Sequence, residues 1–160
     1  MRAFNSLSQA QLEVRLGVER AFGKKMPPES SEIISSKCIE PVMVREFFKG
    51  RCWWSITLQM LRADYSGDGS ACLSFMSPKG RNYYLPAYLL IASECYWEGG
   101  DISLEFPSRL LMYAQDDHVY KMSMLTSGEM KAVADVLRFL VAAYDDEDAQ
   151  EALDCLWKDY

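Results

Sequence analysis

The chain contains one histidine, five scattered cysteines and no long apolar run. A single histidine excludes any metal site that needs two or more imidazoles, and no Cys-x-x-Cys pair is present to predict a zinc knuckle or a redox motif. No segment approaches the ~20 apolar residues of a membrane span, and residues 1–6 lack the apolar core of a signal peptide. We therefore expect a cytoplasmic protein with no membrane contact and no cofactor.

The cysteines are expected to have a structural role. Four of them adjoin an aromatic residue or a leucine, as small buried hydrophobes often do: Cys52, Cys72, Cys95 and Cys155. The chain has 160 residues, of which 49% are hydrophobic and 12% aromatic. A chain of this size can bury roughly 70% of its unfolded surface without disulfides or metal. We therefore predict one globular domain spanning residues 1–160.

The net charge of -6 is unevenly distributed. Residues 145–160 contain seven acidic residues and one lysine, whereas the remaining 16 acidic residues are balanced by 16 basic ones. This distribution disfavours non-specific binding to nucleic acid or to an anionic membrane. It is compatible with a basic protein partner, and it is also compatible with a role in solubility alone.

Two capping boxes mark helix starts, Ser8 with Gln11 and Thr126 with Glu129. Apolar residues at helical spacing follow each box, and the first helix is expected to end at Gly23. Further helix starts are predicted at Pro41, Thr57, Pro78 and Pro86. The acidic segment is predicted to form a last helix with an apolar inner face at Ala149, Ala152, Leu153, Leu156 and Trp157.

The other segments are harder to assign. We expect a loop over residues 23–37, a brief strand or extended link over 71–76, a helix over 108–114 and a strand over 119–125. The prediction is a mainly α fold: a compact single-domain bundle of about six or seven helices with little or no β-structure.

Motifs for catalysis or metal binding are weak. His118 follows an aspartate, but adjacent residues make poor general-base pairs, so an exposed polar loop is favoured. Asp64 and Asp68 resemble the first half of a calcium loop. The twelfth position of that loop is Phe75 instead of a bidentate acid, so a simple turn is favoured.

Two further groups of residues could contact ligands. The segment Ser77–Arg81 could hold a phosphate, although a capped helix start with solvated Lys79 and Arg81 is the favoured interpretation. Aromatic residues could stack on bases or sugars, but no basic stripe accompanies them. We therefore assign most of this aromatic set to the core: Trp53, Trp54, Tyr83, Tyr84 and Tyr88.

The acidic C-terminal helix is the main candidate for a binding surface. Asp145 to Asp148 would face the positive end of the helix dipole, which is a local reason for their presence. Glu147, Glu151 and Asp154 are spaced to share one face, where like charges cost a few tenths of a kcal/mol per pair. We predict that Glu147, Asp148, Glu151 and Asp154 contact cations on a partner; a merely solvated face is the alternative.

The middle of the chain resembles an uncharacterised bacterial family of small cytoplasmic proteins. The resemblance rests on Trp53-Trp54, on the Leu-Ser-Phe-x-Ser-Pro step from Leu73 to Pro78, and on Tyr-Tyr-Leu-Pro-Ala-Tyr-Leu from Tyr83 to Leu89. It covers roughly residues 40–141 and implies no catalytic residues. The turn over residues 64–70 and the acidic tail depart from the pattern, so both are places where this chain could make its own contacts.

Two functions follow from these observations. The first is a non-catalytic protein-binding module, in its most specific form an immunity-type protein that neutralises a basic bacterial toxin in the cytoplasm. The alternative is a small-molecule sensor or a small enzyme with a tyrosine-lined pocket, in which Tyr83, Tyr84 or Arg81 contacts the ligand.

Overall fold

The computed structural model describes residues 6–160, and this part of the chain is helical and contains no strand. The α-helices are α1 (Gln9–Phe22), α2 (Ser30–Ile33), α3 (Ile39–Phe48), α4 (Leu58–Ala63), α5 (Cys72–Phe75), α6 (Pro78–Glu94), α7 (Asp101–Leu104), α8 (Phe106–Gln115), α9 (Asp117–Tyr120), α10 (Ser127–Tyr144) and α11 (Glu147–Ala152). Short 3₁₀ turns cover Trp53–Ser55, Gly69–Ala71 and Met122–Met124, and a π-helical turn covers Leu153–Trp157.

The prediction of a compact, mainly α fold is confirmed for the described residues. The number of helical segments exceeds the predicted six or seven, because several single-turn helices connect the longer ones. None of the helices described is both long and apolar enough to cross a membrane.

Helix α6 lies at the centre of the fold. The Ser77 hydroxyl accepts a hydrogen bond from the Gly80 amide, and Pro78 occupies the first turn. Tyr84, Leu85 and Leu89 are completely buried, so the helix packs on more than one side. Helices α1, α2, α5, α7 and α10 pack around it, while α11 packs against α8 and α10.

Pro86 lies inside α6, so the prediction that it starts a separate helix is wrong. Proline has no amide hydrogen, and the Asn82 carbonyl therefore receives no helical hydrogen bond from position 86. Pro86 and its neighbours Leu85 and Ala87 are all buried. Burial of apolar groups around the helix offsets the lost hydrogen bond and keeps the helix continuous.

The structure corrects three local predictions. Residues 23–37 contain α2, which is held because the Ser77 amide donates to the Ile33 carbonyl at 2.7 Å. Residues 71–76 form the end of a 3₁₀ turn and then α5, and residues 119–125 form the end of α9 and a 3₁₀ turn, so neither segment is a strand or an extended link.

The predicted caps are confirmed. The hydroxyls of Ser8, Thr57 and Thr126 each accept a hydrogen bond from the amide three residues later, and both predicted capping boxes are complete. Gly23 ends α1 with φ 63°, as expected for a glycine at a helix C-terminus. The cap signals succeed because each depends on only a few neighbouring residues.

We expect opposite effects from the same substitution in two helices. A Cβ atom at Gly80 would lie 2.9 Å from the Ile33 Cα, whereas one at Gly17 would meet no atom within 4 Å. Gly80→Ala should lower the free energy of unfolding by about 1–3 kcal/mol, because α2 would be pushed away from α6. Gly17→Ala should raise it by about 0.5–1 kcal/mol through helix propensity. Urea denaturation measures both, and stabilisation by Gly80→Ala would contradict the close packing.

Candidate functional site

Helix α11 is anchored to the body through its start and its inner face. The Asp146 Oδ1 atom accepts a hydrogen bond from the Ala149 amide at 2.8 Å and caps the helix. The predicted inner-face residues Ala149 and Ala152 of α11 are buried, as are Leu153 and Trp157 in the π-helical turn that continues it, and Leu156 in that turn is half-buried. The predicted inner face is therefore present, and it determines which side of the helix meets solvent.

The four predicted partner-binding residues, Glu147, Asp148, Glu151 and Asp154, are all exposed. Asp154 accepts a hydrogen bond from the Gln150 side chain at 3.1 Å. Within residues 6–160, none of these four carboxylates lies in an ion pair. They form an outer surface of uncompensated negative charge, which we call the acidic face.

Asp145 lies outside α11, one residue before the Asp146 cap, so of the four acids predicted at its dipole it is the farthest in sequence from the first turn of that helix. It follows the last residue of α10 and adopts a left-handed conformation with φ 53°. Aspartate tolerates this conformation better than most residues because its short side chain can hydrogen-bond locally. The dipole argument holds for Asp146, the cap of α11, and for Glu147 and Asp148 in its first turn.

An aromatic cluster adjoins the start of α11. The rings of Tyr96 and Tyr144 stack with a centroid distance of 3.9 Å and an interplanar angle of 2°. The Trp97 ring contacts both rings edge-on, with centroid distances of 4.8 Å and 5.9 Å, and yet Trp97 is 68% exposed. The exposure of Trp97 could not be predicted from the sequence, because it depends on packing against a neighbour from a distant helix.

A hydrogen bond joins this cluster to the acidic helix. The Tyr96 hydroxyl donates to the Asp146 Oδ2 atom at 2.7 Å. Burial raises the pKa of Tyr96, and the hydrogen bond to Asp146 and the negative charge of Asp148 raise it further. The aromatic cluster is therefore joined directly to the cap of α11.

Arg81 is buried, with 3% exposure, so the expectation of a solvated side chain is wrong. Its guanidinium donates to the carbonyls of Leu73 at 3.0 Å, Met76 at 2.5 Å and Tyr120 at 2.9 Å. Burial lowers the pKa of Arg81. These contacts occupy the guanidinium within the fold and leave it no free surface for a ligand.

The tyrosines proposed for a pocket have different surroundings. Tyr84 is fully buried, and its hydroxyl lies 2.8 Å from the carbonyls of Phe48 and Arg51. The Tyr83 hydroxyl donates to the Lys25 carbonyl at 2.7 Å. Tyr83 lines a cleft of about 400 Å³, which we call the Tyr83 cleft. Other lining residues include Phe22, Trp53, Lys79 and Asn82.

The weaker candidates have local structural roles. His118 is exposed in α9, and the preceding Asp117 carboxylate accepts hydrogen bonds from the amide and hydroxyl of Ser123. The Asp68 carboxylate accepts from the amide and hydroxyl of Ser70, which gives an ordinary turn. In the described part of the chain, no three potential metal ligands of the His, Cys, Asp or Glu type cluster together.

The structure also shows the surroundings of Lys79 and of two cysteines. Lys79 is exposed and forms an ion pair with Glu32. Cys72 is buried as expected, and burial raises its pKa to about 11, whereas Cys155 is exposed, contrary to expectation. A thiol with so high a pKa is almost entirely protonated at neutral pH, so Cys72 is a poor nucleophile.

The comparisons with known proteins agree with this picture of an uncharacterised family. Residues 37–160 match a family of unknown function (DUF6714), and the chain therefore belongs to that family. The match includes α3 to α11 and continues through the acidic segment, further than the resemblance over residues 40–141. No curated protein and no solved structure matches the chain.

We expect Arg81→Met to lower the free energy of unfolding by about 3–5 kcal/mol, because three carbonyls would lose a charged donor inside the protein. Lys79→Met, two residues away, should have a much smaller effect, because Lys79 is exposed. Equilibrium urea denaturation of both variants provides the measurement. Equal losses of stability would show that the buried hydrogen bonds of Arg81 are unimportant.

Proposed function

We propose that this chain is a non-catalytic protein-binding module, in its most specific form an immunity-type protein that binds and neutralises a basic bacterial toxin in the cytoplasm. The observation that carries the proposal is the acidic face. Its four carboxylates are exposed on α11 and the π-helical turn that follows it, and no base in residues 6–160 pairs with them.

The concentration of negative charge distinguishes this face, because residues 145–160 hold seven acidic residues and one lysine. Elsewhere some carboxylates are paired with bases, such as Glu94 with Arg15, Glu46 with Lys49 and Asp135 with Lys131. The negative potential of the acidic face is not cancelled by such neighbours. It extends about 8–10 Å into solution at physiological salt, far enough to attract a basic protein before contact.

The scaffold presents this charge in a defined position. The inner face of α11 is buried and its first turn is tied to Tyr96, so a partner would meet an ordered helix. An inhibitor of this kind needs a stable body and a complementary surface, and it needs no catalytic group. Electrostatic complementarity would increase the rate of encounter more than the final affinity.

The test uses basic toxin domains encoded in neighbouring genes. We expect Glu151→Lys/Asp154→Lys to lower the association rate constant by roughly tenfold or more at low salt, because it reverses two charges on the acidic face. Glu13→Lys/Glu40→Lys serves as the control, since both residues are exposed and the net charge changes equally. Stopped-flow fluorescence at low and high salt measures the rates.

Two results would refute this proposal. One is an equal loss of rate in the control double variant, which would indicate net charge alone. The other is toxin binding that neither salt nor Glu151→Lys/Asp154→Lys weakens.

The Tyr83 cleft favours a second candidate function, a small-molecule sensor. Its volume of about 400 Å³ is within the range of ligand sites, and aromatic and charged residues both line it. The Asn82 Oδ1 atom on its wall is buried and has no hydrogen-bond partner within residues 6–160. Of the three ligand contacts considered from the sequence, Tyr83 is the one that this cleft could use.

A thermal-shift screen tests this second candidate. A ligand in the Tyr83 cleft should raise Tm, because binding to the folded state alone stabilises it. Nucleotides, sugars and amino acids are suitable probes, and Asn82→Leu should abolish the shift for any probe that succeeds. A shift retained in Asn82→Leu would place the probe elsewhere, and the absence of any shift across the screen would count against the sensor.

A further inference from the structure

A recess opens beside Trp97. It has a volume of about 390 Å³, and its lining includes Gln11, Glu94, Trp97, Glu98 and Tyr144. We call it the Trp97 recess. It combines an exposed indole with two glutamates, whereas the Tyr83 cleft is lined by charges of both signs.

The aromatic side of the Trp97 recess is accessible and ordered. Trp97 is 68% exposed, so its indole is accessible to a partner. Edge contacts with Tyr96 and Tyr144 hold the indole in place. Indole is the aromatic side chain that best attracts a cation over its face.

Two glutamates line the acidic side of the recess. One is paired with an arginine of this chain, and the other has no ion-pair partner in the described residues. Glu94 accepts two hydrogen bonds from Arg15, at 2.5 Å and 2.8 Å, so its charge is neutralised. Glu98 is exposed, and its carboxylate forms no ion pair within residues 6–160. Glu98 raises the pKa of Tyr144, in addition to the larger effect of burial, so its charge acts on the Tyr144 ring.

Arg62 contacts Glu98 without neutralising its carboxylate. Arg62 donates a hydrogen bond to the backbone carbonyl of Glu98 and leaves the side chain of Glu98 without a partner. The recess is therefore lined by an exposed aromatic ring and a negative charge with no counter-ion from the described chain. An apolar ligand would complement only the first of these features.

We propose that the Trp97 recess accepts the guanidinium of an arginine from a protein partner, with the guanidinium stacked on Trp97 and paired with Glu98. Arginine fits better than lysine, because its planar, weakly hydrated head can stack on an aromatic ring and pair with a carboxylate. This inference rests on the proposed function and extends it, since Tyr96, which contacts Trp97, also donates a hydrogen bond to Asp146, the cap of the helix that begins the acidic face.

The test is a titration followed by the indole signals in ¹H–¹⁵N NMR spectra. The probes are three capped peptides, Gly-Arg-Gly-Arg-Gly and its lysine and citrulline counterparts; citrulline keeps the shape of arginine and removes the charge. The Trp97 signal, assigned with Trp97→Phe, should shift saturably with the arginine peptide. It should shift at several-fold higher concentration with the lysine peptide and very little with the citrulline peptide.

Variants identify the contacts. Glu98→Gln should weaken arginine-peptide binding by roughly threefold to tenfold, and Trp97→Leu should weaken it by at least as much. Trp54→Phe is the matched control, because Trp54 is also exposed but lies outside the recess. Circular dichroism and Tm should confirm that each variant folds, which we expect because these side chains are exposed.

The inference is overturned if the Trp97 signal does not move, if the citrulline peptide shifts it equally, or if Glu98→Gln binds as tightly as the unmodified chain. The proposed function would survive those results if Glu151→Lys/Asp154→Lys still slows toxin binding. The opposite combination is also informative. If the arginine peptide shifts the Trp97 signal but Glu151→Lys/Asp154→Lys leaves toxin binding unchanged, the arginine site in the recess is supported and the role of the acidic face is refuted.

Discussion

The buried guanidinium of Arg81 holds together parts of the chain that have little regular structure of their own. From the first turns of α6 it binds carbonyls in α5, in the link after α5 and at the end of α9. The rings of Tyr113 and Tyr120 lie beside it, with centroids 5.3 Å and 4.7 Å from the guanidinium carbon. A charge inside a protein is stable only when its donors are satisfied, so these segments must keep their positions around Arg81.

This constraint explains which local structures could be predicted. The helix starts at Ser8, Thr57, Ser77 and Thr126 are specified by side chains within three residues, and sequence analysis located them correctly. The segment 71–76 was ambiguous because its apolar residues fit a strand equally well. Its helical turn depends on Arg81, which lies outside the segment and was expected to be solvated.

The structures at Pro86 and α2 also could not be predicted from neighbouring residues alone. A proline after several apolar residues ordinarily indicates a new helix start, but burial around α6 outweighs the loss of one hydrogen bond. Helix α2 is a single turn in a proline-containing segment, and its position follows from Ser77 and from the close approach of Ile33 to Gly80. Neither contact leaves a periodic pattern in the sequence.

Part of the candidate site could also be predicted from the sequence, and part could not. The acidic face could be located from the sequence, because its charge is concentrated in one short segment with an apolar inner stripe. From the sequence, Arg81 and Tyr84 were candidate ligand contacts, and both are buried. Trp97 was not a candidate, and it is exposed. Burial of a large polar or aromatic side chain depends on which helices meet, and residue type alone does not determine it.

The hydrogen bond between Tyr96 and Asp146 has a consequence for avidity. It ties the residues that follow α6 to the cap of α11 and so limits how far apart the Trp97 recess and the acidic face can move. Once a partner had engaged one surface, its second contact would form within the same complex, at a high effective concentration. Two individually weak contacts could then give a tight complex without any large apolar interface.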